Sequence, residues 1–164
     1  MPVVETIITA IELLEVWSEI RNIFTSEDHT LNRAFKRLKN SINADNLYET
    51  RKEANAALIL FNQSNSEKKY QDATIHYFKA VCFYIIALCN TKLDERKVSE
   101  NFRNAINQTT HLNWIDTTIF TSHREEIREL QADGRELRIK LKDEFNEWKK
   151  YQRSKHSWLY NLFH

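Results

Sequence analysis

Six histidines and two cysteines are the residues best equipped for metal or nucleophilic chemistry in this chain, and their spacing argues against both. Around His123 the sequence reads His-Arg-Glu-Glu-Ile, with no second histidine one helical turn on, so the two-histidine zinc signature is missing. No histidine follows a glutamate at the Glu-x-x-His spacing of di-iron bundles. Asp72 and His76 stand at i, i+4 and could share a ligand, but that spacing is the ordinary one of a helix surface pair. Cys82 and Cys89 share a helix face about 10 Å apart along the axis, too far for a disulfide, so buried reduced thiols are expected. A single glycine, Gly134, and a single proline, Pro2, leave no phosphate-cradling loop and no nucleophile elbow. No catalytic residue, metal ligand or cofactor site is expected.

The sharpest chemical feature lies at the carboxyl end. From Trp148 to His164 there is no acidic residue, while Lys149, Lys150, Arg153 and Lys155 stand among Trp148, Tyr151, Trp158, Leu159, Tyr160, Leu162 and Phe163. Aromatic anchors flanked by cations suit a partner groove or an anionic membrane surface. The expected partner-binding set is therefore Trp148, Tyr151, Trp158, Tyr160 and Phe163, with Lys149, Lys150, Arg153 and Lys155 adding orientation. The alternative use of the same residues is structural: the aromatics would cover a hydrophobic first helix and the cations would meet its glutamates.

Elsewhere, charge gives little direction. The net charge is +1, so no global field points to nucleic acid or membrane. The basic side of a helix near Arg33, Lys36, Arg37 and Lys39 lacks interleaved aromatics, and no nucleic-acid partner is expected. Glu5, Glu12, Glu15 and Glu19 form a solvated face. The stretch from Met1 to Glu15 has no basic flank, and the longest apolar run, Ala80 to Cys89, is half a bilayer span. A soluble, cytoplasmic chain without a transmembrane span is expected.

The elements that position these residues are helices. Missing turn punctuation excludes sheet-rich folds, and apolar residues recur at helical period between short polar breaks. The spacing predicts helices over about Val3 to Phe24, Thr30 to Asn43, Asn46 to Asn62, Glu67 to Asn90 and Asp94 to Thr109. Leu112 to Phe120 reads as a connector. A last helix of about 30 residues begins at the capping box Ser122–Glu125, and Asn46–Glu49 forms another. The segment from Tyr77 is apolar on every side and should be central. Gly134 lies inside an apolar seam, where a missing side chain permits close approach. The fold class is thus an all-α antiparallel bundle of five to seven helices, one domain over 1–164, ending in a basic-aromatic tail, 153–164.

Between Ala54 and Ile86 the chain resembles a tetratricopeptide-type helical hairpin. Tyr70, Ala73, Tyr77 and Ala80 stand at the aromatic and small positions of that pattern, with Phe61 where a small residue is usual and Ile85 where proline often closes the repeat. The same order of helix, polar turn and Tyr/Ala-rich helix is similar to the core of HEPN domains, which include ribonucleases with Arg followed by His after four to six residues. Here Arg103–His111 and Arg21–His29 have seven between them, and Arg153–His156 has two. The tetratricopeptide resemblance implies a helical protein-interaction module, an adaptor or assembly factor that binds a helical or peptide partner, and the heptad-like seam of the last helix adds the expectation that it self-associates. The alternatives are a degenerate HEPN-type RNA-processing domain, from the second resemblance, and a peripheral membrane-associating bundle, from the tail.

Overall fold

A computed structural model describes residues 29–64 and 71–163, the latter without the side chains of 156–161 and 163. The helix expected over Val3 to Phe24, with its glutamate face and Arg21, lies outside the described residues, as does Tyr70. Five α-helices follow in order: α1 His29–Asn43, α2 Leu47–Gln63, α3 Gln71–Leu93, α4 Val98–Asn113 and α5 Arg124–Phe163. Short 3₁₀ turns at Glu95–Lys97 and Thr117–Ile119 precede α4 and α5. No strand occurs among the described residues, and the fold is an all-α bundle.

Each helix packs against the next in sequence, and α5 also reaches α3. Cross-links between neighbours fix antiparallel registers. Ser41 Oγ donates to the Thr50 carbonyl at 2.6 Å between α1 and α2. Arg51 donates to Asn90 at 3.0 Å between α2 and α3. Tyr84 packs on Phe102 while His76 packs on His111 between α3 and α4. Gln131 donates to the Leu112 and Ile115 carbonyls at 3.1 and 2.9 Å between α5 and the end of α4.

The centre is α3, as its dense apolar run from Tyr77 requires, with Asp72, His76, Lys79 and Phe83 on its half-buried side. Tyr77, Phe78, Val81, Cys82, Tyr84, Ile85, Ile86 and Ala87 are all buried. By length and composition this helix could cross a membrane, but 72% of its most apolar window is buried inside the protein. Its neighbours account for the apolarity. Phe35 of α1 meets Phe61 of α2 and Phe78 of α3 edge-on at 5.2 and 4.8 Å, an arrangement that adds about 1 kcal/mol per pair beyond burial. Ala73, Ala80 and Ala87, each fully buried at seven-residue steps, admit close helix approach. Cys82 and Cys89 are free and buried. Burial pushes the Cys89 thiol up to about 11 and the Cys82 thiol further in the same direction.

Two expectations about the last helix need correction. It begins at Arg124, not at the Ser122 cap. His123 takes φ 61° and its carbonyl accepts from Ile127 N at 3.0 Å, while the Arg124 guanidinium ties the preceding 3₁₀ turn by donating to the carbonyls of Thr117, Thr118 and Phe120. The clamp supplies the entry geometry that a capping box would have supplied. The helix is also longer than about 30 residues: it runs 40, about 60 Å, and takes the tail to Phe163 into helix. No glycine, proline or acidic break follows Glu147 to stop it. Asn46 does cap α2, accepting from Glu49 N at 2.8 Å.

Candidate functional site

The carboxyl-terminal third of α5 starts where packing against the described helices thins out. Phe145 is buried and stacks on Phe102 of α4 at 5.2 Å, and Glu144 accepts a hydrogen bond from the buried Tyr84 hydroxyl. One turn later Trp148 is half-buried against the core. It belongs to the packing of the bundle as much as to its surface. Lys149 lies over the Phe145 ring with Nζ 3.9 Å from its centroid, so its stem covers apolar surface while its charge stays at the rim.

From here the helix emerges. Tyr151 is 61% exposed and Leu162 is 61% exposed. Tyr151, Lys155 and Leu162 fall within about 40° of one another around the helix. Lys155 braces this side, donating to the Glu95 carboxylate at 3.3 Å from the turn that precedes α4. Both partners are half-exposed, so the brace contributes about 0–1 kcal/mol and serves as a register mark more than a support. Lys150 pairs with Glu147 at 3.6 Å, and Arg153 is exposed. Trp158, Tyr160 and Phe163 lie on the same helix; their side chains are outside the described residues.

The end of the bundle beside this helix carries further apolar surface. Leu93 closes α3 two residues before Glu95 and is 38% exposed. Tyr48, 63% exposed, opens α2 beneath the Arg51 guanidinium, 5.3 Å from the ring centroid, and Arg51 in turn holds Asn90 near the end of α3. The sequence offered no signal for Tyr48 and Leu93, because their exposure depends on where α2 and α3 end together.

The remaining sequence candidates are dispersed. Among the described residues no group of three His, Cys, Asp or Glu side chains could hold a metal ion. His76 turns to α4, where its Nδ1 lies 2.9 Å from Gln108 Oε1 and its ring stacks on His111 at 5.6 Å; His111 in turn meets the exposed Trp114 edge-on. Burial holds the His76 imidazole below its ordinary range, with Lys79 and His111 acting the same way against the opposing pull of Gln108 and Asp72. Arg103 and His111 are separated by about 12 Å along α4 and belong to different contacts, Arg103 lying over Phe145. On α1, Arg37 pairs with Glu53 at 3.2 Å while Arg33, Lys36 and Lys39 are exposed. Compared with known proteins, the chain matches no family model, and neither a curated protein nor a solved structure is similar to it.

Proposed function

We propose that this chain is a non-enzymatic interaction module that presents the last third of α5 to a protein partner, a helix or an extended peptide. The observation that carries this reading is the length of α5. It outlasts the 16-residue α4 that supports it and holds Tyr151 and Leu162 exposed on one side, above a bundle end with exposed Leu93 and Tyr48. An exposed aromatic on a rigid helix loses little conformational entropy on binding, which makes Tyr151 the natural anchor. Lys150, Arg153 and Lys155 around it favour an acidic partner and speed its approach. The same charges disfavour a parallel pairing of two α5 tails, because that would set like charges side by side.

The test is site-specific photo-crosslinking in the cells that make the protein, with the crosslinker at position 151 and a control at 139. Ile139 is also exposed on α5, about 18 Å back along the axis and about 120° around it from Tyr151. The reading expects a discrete protein adduct from position 151 and none from 139. Equal labelling from both positions, or none from either, would overturn it.

A further inference from the structure

The exposed side of α1 is made entirely of polar groups. Leu31, Ala34, Phe35, Leu38, Ser41 and Ile42 are buried, and among the described residues the helix packs on α2 and reaches α3 through Phe35 and Phe78. The remaining side spans about 160° of circumference, from Lys39 at one border to Arg37 at the other. Arg33 and Lys36 stand between those borders with Asn32 and Asn40, all exposed. The 15 residues of α1 include no carboxylate, and no apolar side chain is exposed on it. In a chain of net charge +1, this face is a local concentration of positive charge.

Ion pairing sorts the four cations. Arg37 is held by Glu53 of α2 at 3.2 Å, which neutralises it at the border of the face. Arg33, Lys36 and Lys39 have no carboxylate partner among the described residues. They follow one another at i, i+3 steps, with Cβ atoms about 5–6 Å apart, in a row about 9 Å long. Like charges at this spacing destabilise a helix, and a line of phosphates laid along them removes the repulsion.

The make-up of the face selects among polyanions. A helix that lies on a bilayer needs an apolar side at the surface, whereas that of α1 is buried in the bundle. The core of a protein interface is poor in lysine and rich in aromatics, the reverse of this face. Single strands are gripped by aromatics on which their bases stack, and α1 exposes none. A duplex keeps its bases stacked and offers rows of phosphates, which Arg, Lys and Asn side chains bind. The missing aromatics therefore argue against single strands and not against a duplex.

We propose that the exposed side of α1 binds the phosphate backbone of a nucleic-acid duplex without regard to sequence. Arg33, Lys36 and Lys39 supply the charge, and Asn32 and Asn40 donate to neighbouring phosphate oxygens. The surface lies on a different helix from the end of α5, so this goes beyond the interaction reading and does not depend on it.

The experiment is fluorescence anisotropy of labelled duplex DNA, duplex RNA and single-stranded DNA titrated with the full chain at about 50 and about 200 mM salt. The native chain should bind both duplexes more tightly than the single strand. Its affinity for duplex DNA should fall about 40-fold between the two salts, as expected for counterion release from three phosphates. Lys36→Gln should weaken binding to every sequence alike and reduce the logarithmic salt slope by about 1. Arg33→Gln, Lys36→Gln and Lys39→Gln together should cost at least about tenfold at the lower salt. Lys97→Gln, Arg135→Gln and Lys142→Gln together remove equal charge at exposed positions outside α1 and should leave binding nearly unchanged. Glutamine is a good helix former, and circular dichroism checks that each variant is folded. No duplex binding at the lower salt, equal weakening by the two triple variants, or tighter binding of the single strand would each overturn the proposal. Should the triple variants not fold, an unchanged salt slope in Lys36→Gln would do the same. Polyglutamate that displaces the duplex as well as unlabelled duplex does would assign the face to acidic proteins instead and remove this reading.

Discussion

Replacing Gly134 by alanine sets two opposing effects on a single atom. Gly134 is buried on α5 facing Leu112 of α4, and a Cβ built there would lie 2.5 Å from Leu112 Cδ2 and 3.5 Å from its Cγ. Ordinary carbon contacts are about 3.5–4.0 Å, so one atom must move by about 1 Å or more. The clashing atom is the end of a side chain, but Leu112 is fully buried, so it can turn away only into packed neighbours. Alanine in a helix interior gains about 1 kcal/mol over glycine, while overpacking a buried seam costs about 1–3 kcal/mol. The clash wins. Gly134→Ala should lose about 1 kcal/mol net, a fall of about 2–4 °C in melting temperature for a chain of this length. Urea unfolding followed by far-ultraviolet circular dichroism measures it, with a control built in. In a Leu112→Ala background the obstruction is gone, and the same Gly134→Ala change should instead stabilise by about 1 kcal/mol. A glycine-to-alanine gain in both backgrounds would refute the close approach of α4 and α5.

Three further outcomes follow from other contacts. Tyr84→Phe removes the hydroxyl that the Glu144 carboxylate accepts from, and should cost about 1.5–3 kcal/mol in urea with an unchanged denaturant slope. His76 sits below its ordinary range chiefly because of burial, so the unfolded chain takes its proton first as pH falls. Stability should therefore be fully present above the unfolded value of about 6.5 and be lost on acidification below it, and His76→Gln should flatten the melting temperature between pH 7 and pH 5. The Cys82 and Cys89 thiols, buried and raised, should react with iodoacetamide only at the rate at which the protein opens, accelerating in parallel with urea.

Much of this bundle was legible because its signals are local. The run from Tyr77 to Leu88 carries one charge, Lys79, among apolar residues, a density that asks for neighbours on most sides, and α3 occupies the central place with Lys79, Phe83 and Leu88 half-buried. Asn46 and Glu49 carry their cap within three residues, and it forms. Gly134 announced a close approach, though not that Leu112 would be the neighbour. The start of α5 departs from its local signal for the converse reason. Ser122 and Glu125 satisfy the local rule, but Arg124 reaches back to three carbonyls of the connector and moves the start past Ser122. The fate of His76 was equally hidden, since i, i+4 spacing pointed to Asp72 on its own helix, whereas Gln108 and His111 come from 32 and 35 residues away. In the tail, chemistry was legible and placement was not. Nothing near Trp148 says that it turns toward the core while Tyr151, three residues on, turns out.

Whether the end of α5 serves recognition or folding is tested most directly by calorimetry of the full chain beside one ending at Lys155. That cut keeps the brace on Glu95 and removes Trp158, Tyr160, Leu162 and Phe163. If these residues face a partner, little core burial is lost. The two melting temperatures should then agree within about 2 °C, with one cooperative transition in each. A fall of more than about 8 °C, equivalent to a loss of about 2–4 kcal/mol, would mean that these residues complete the core, and would contradict the account.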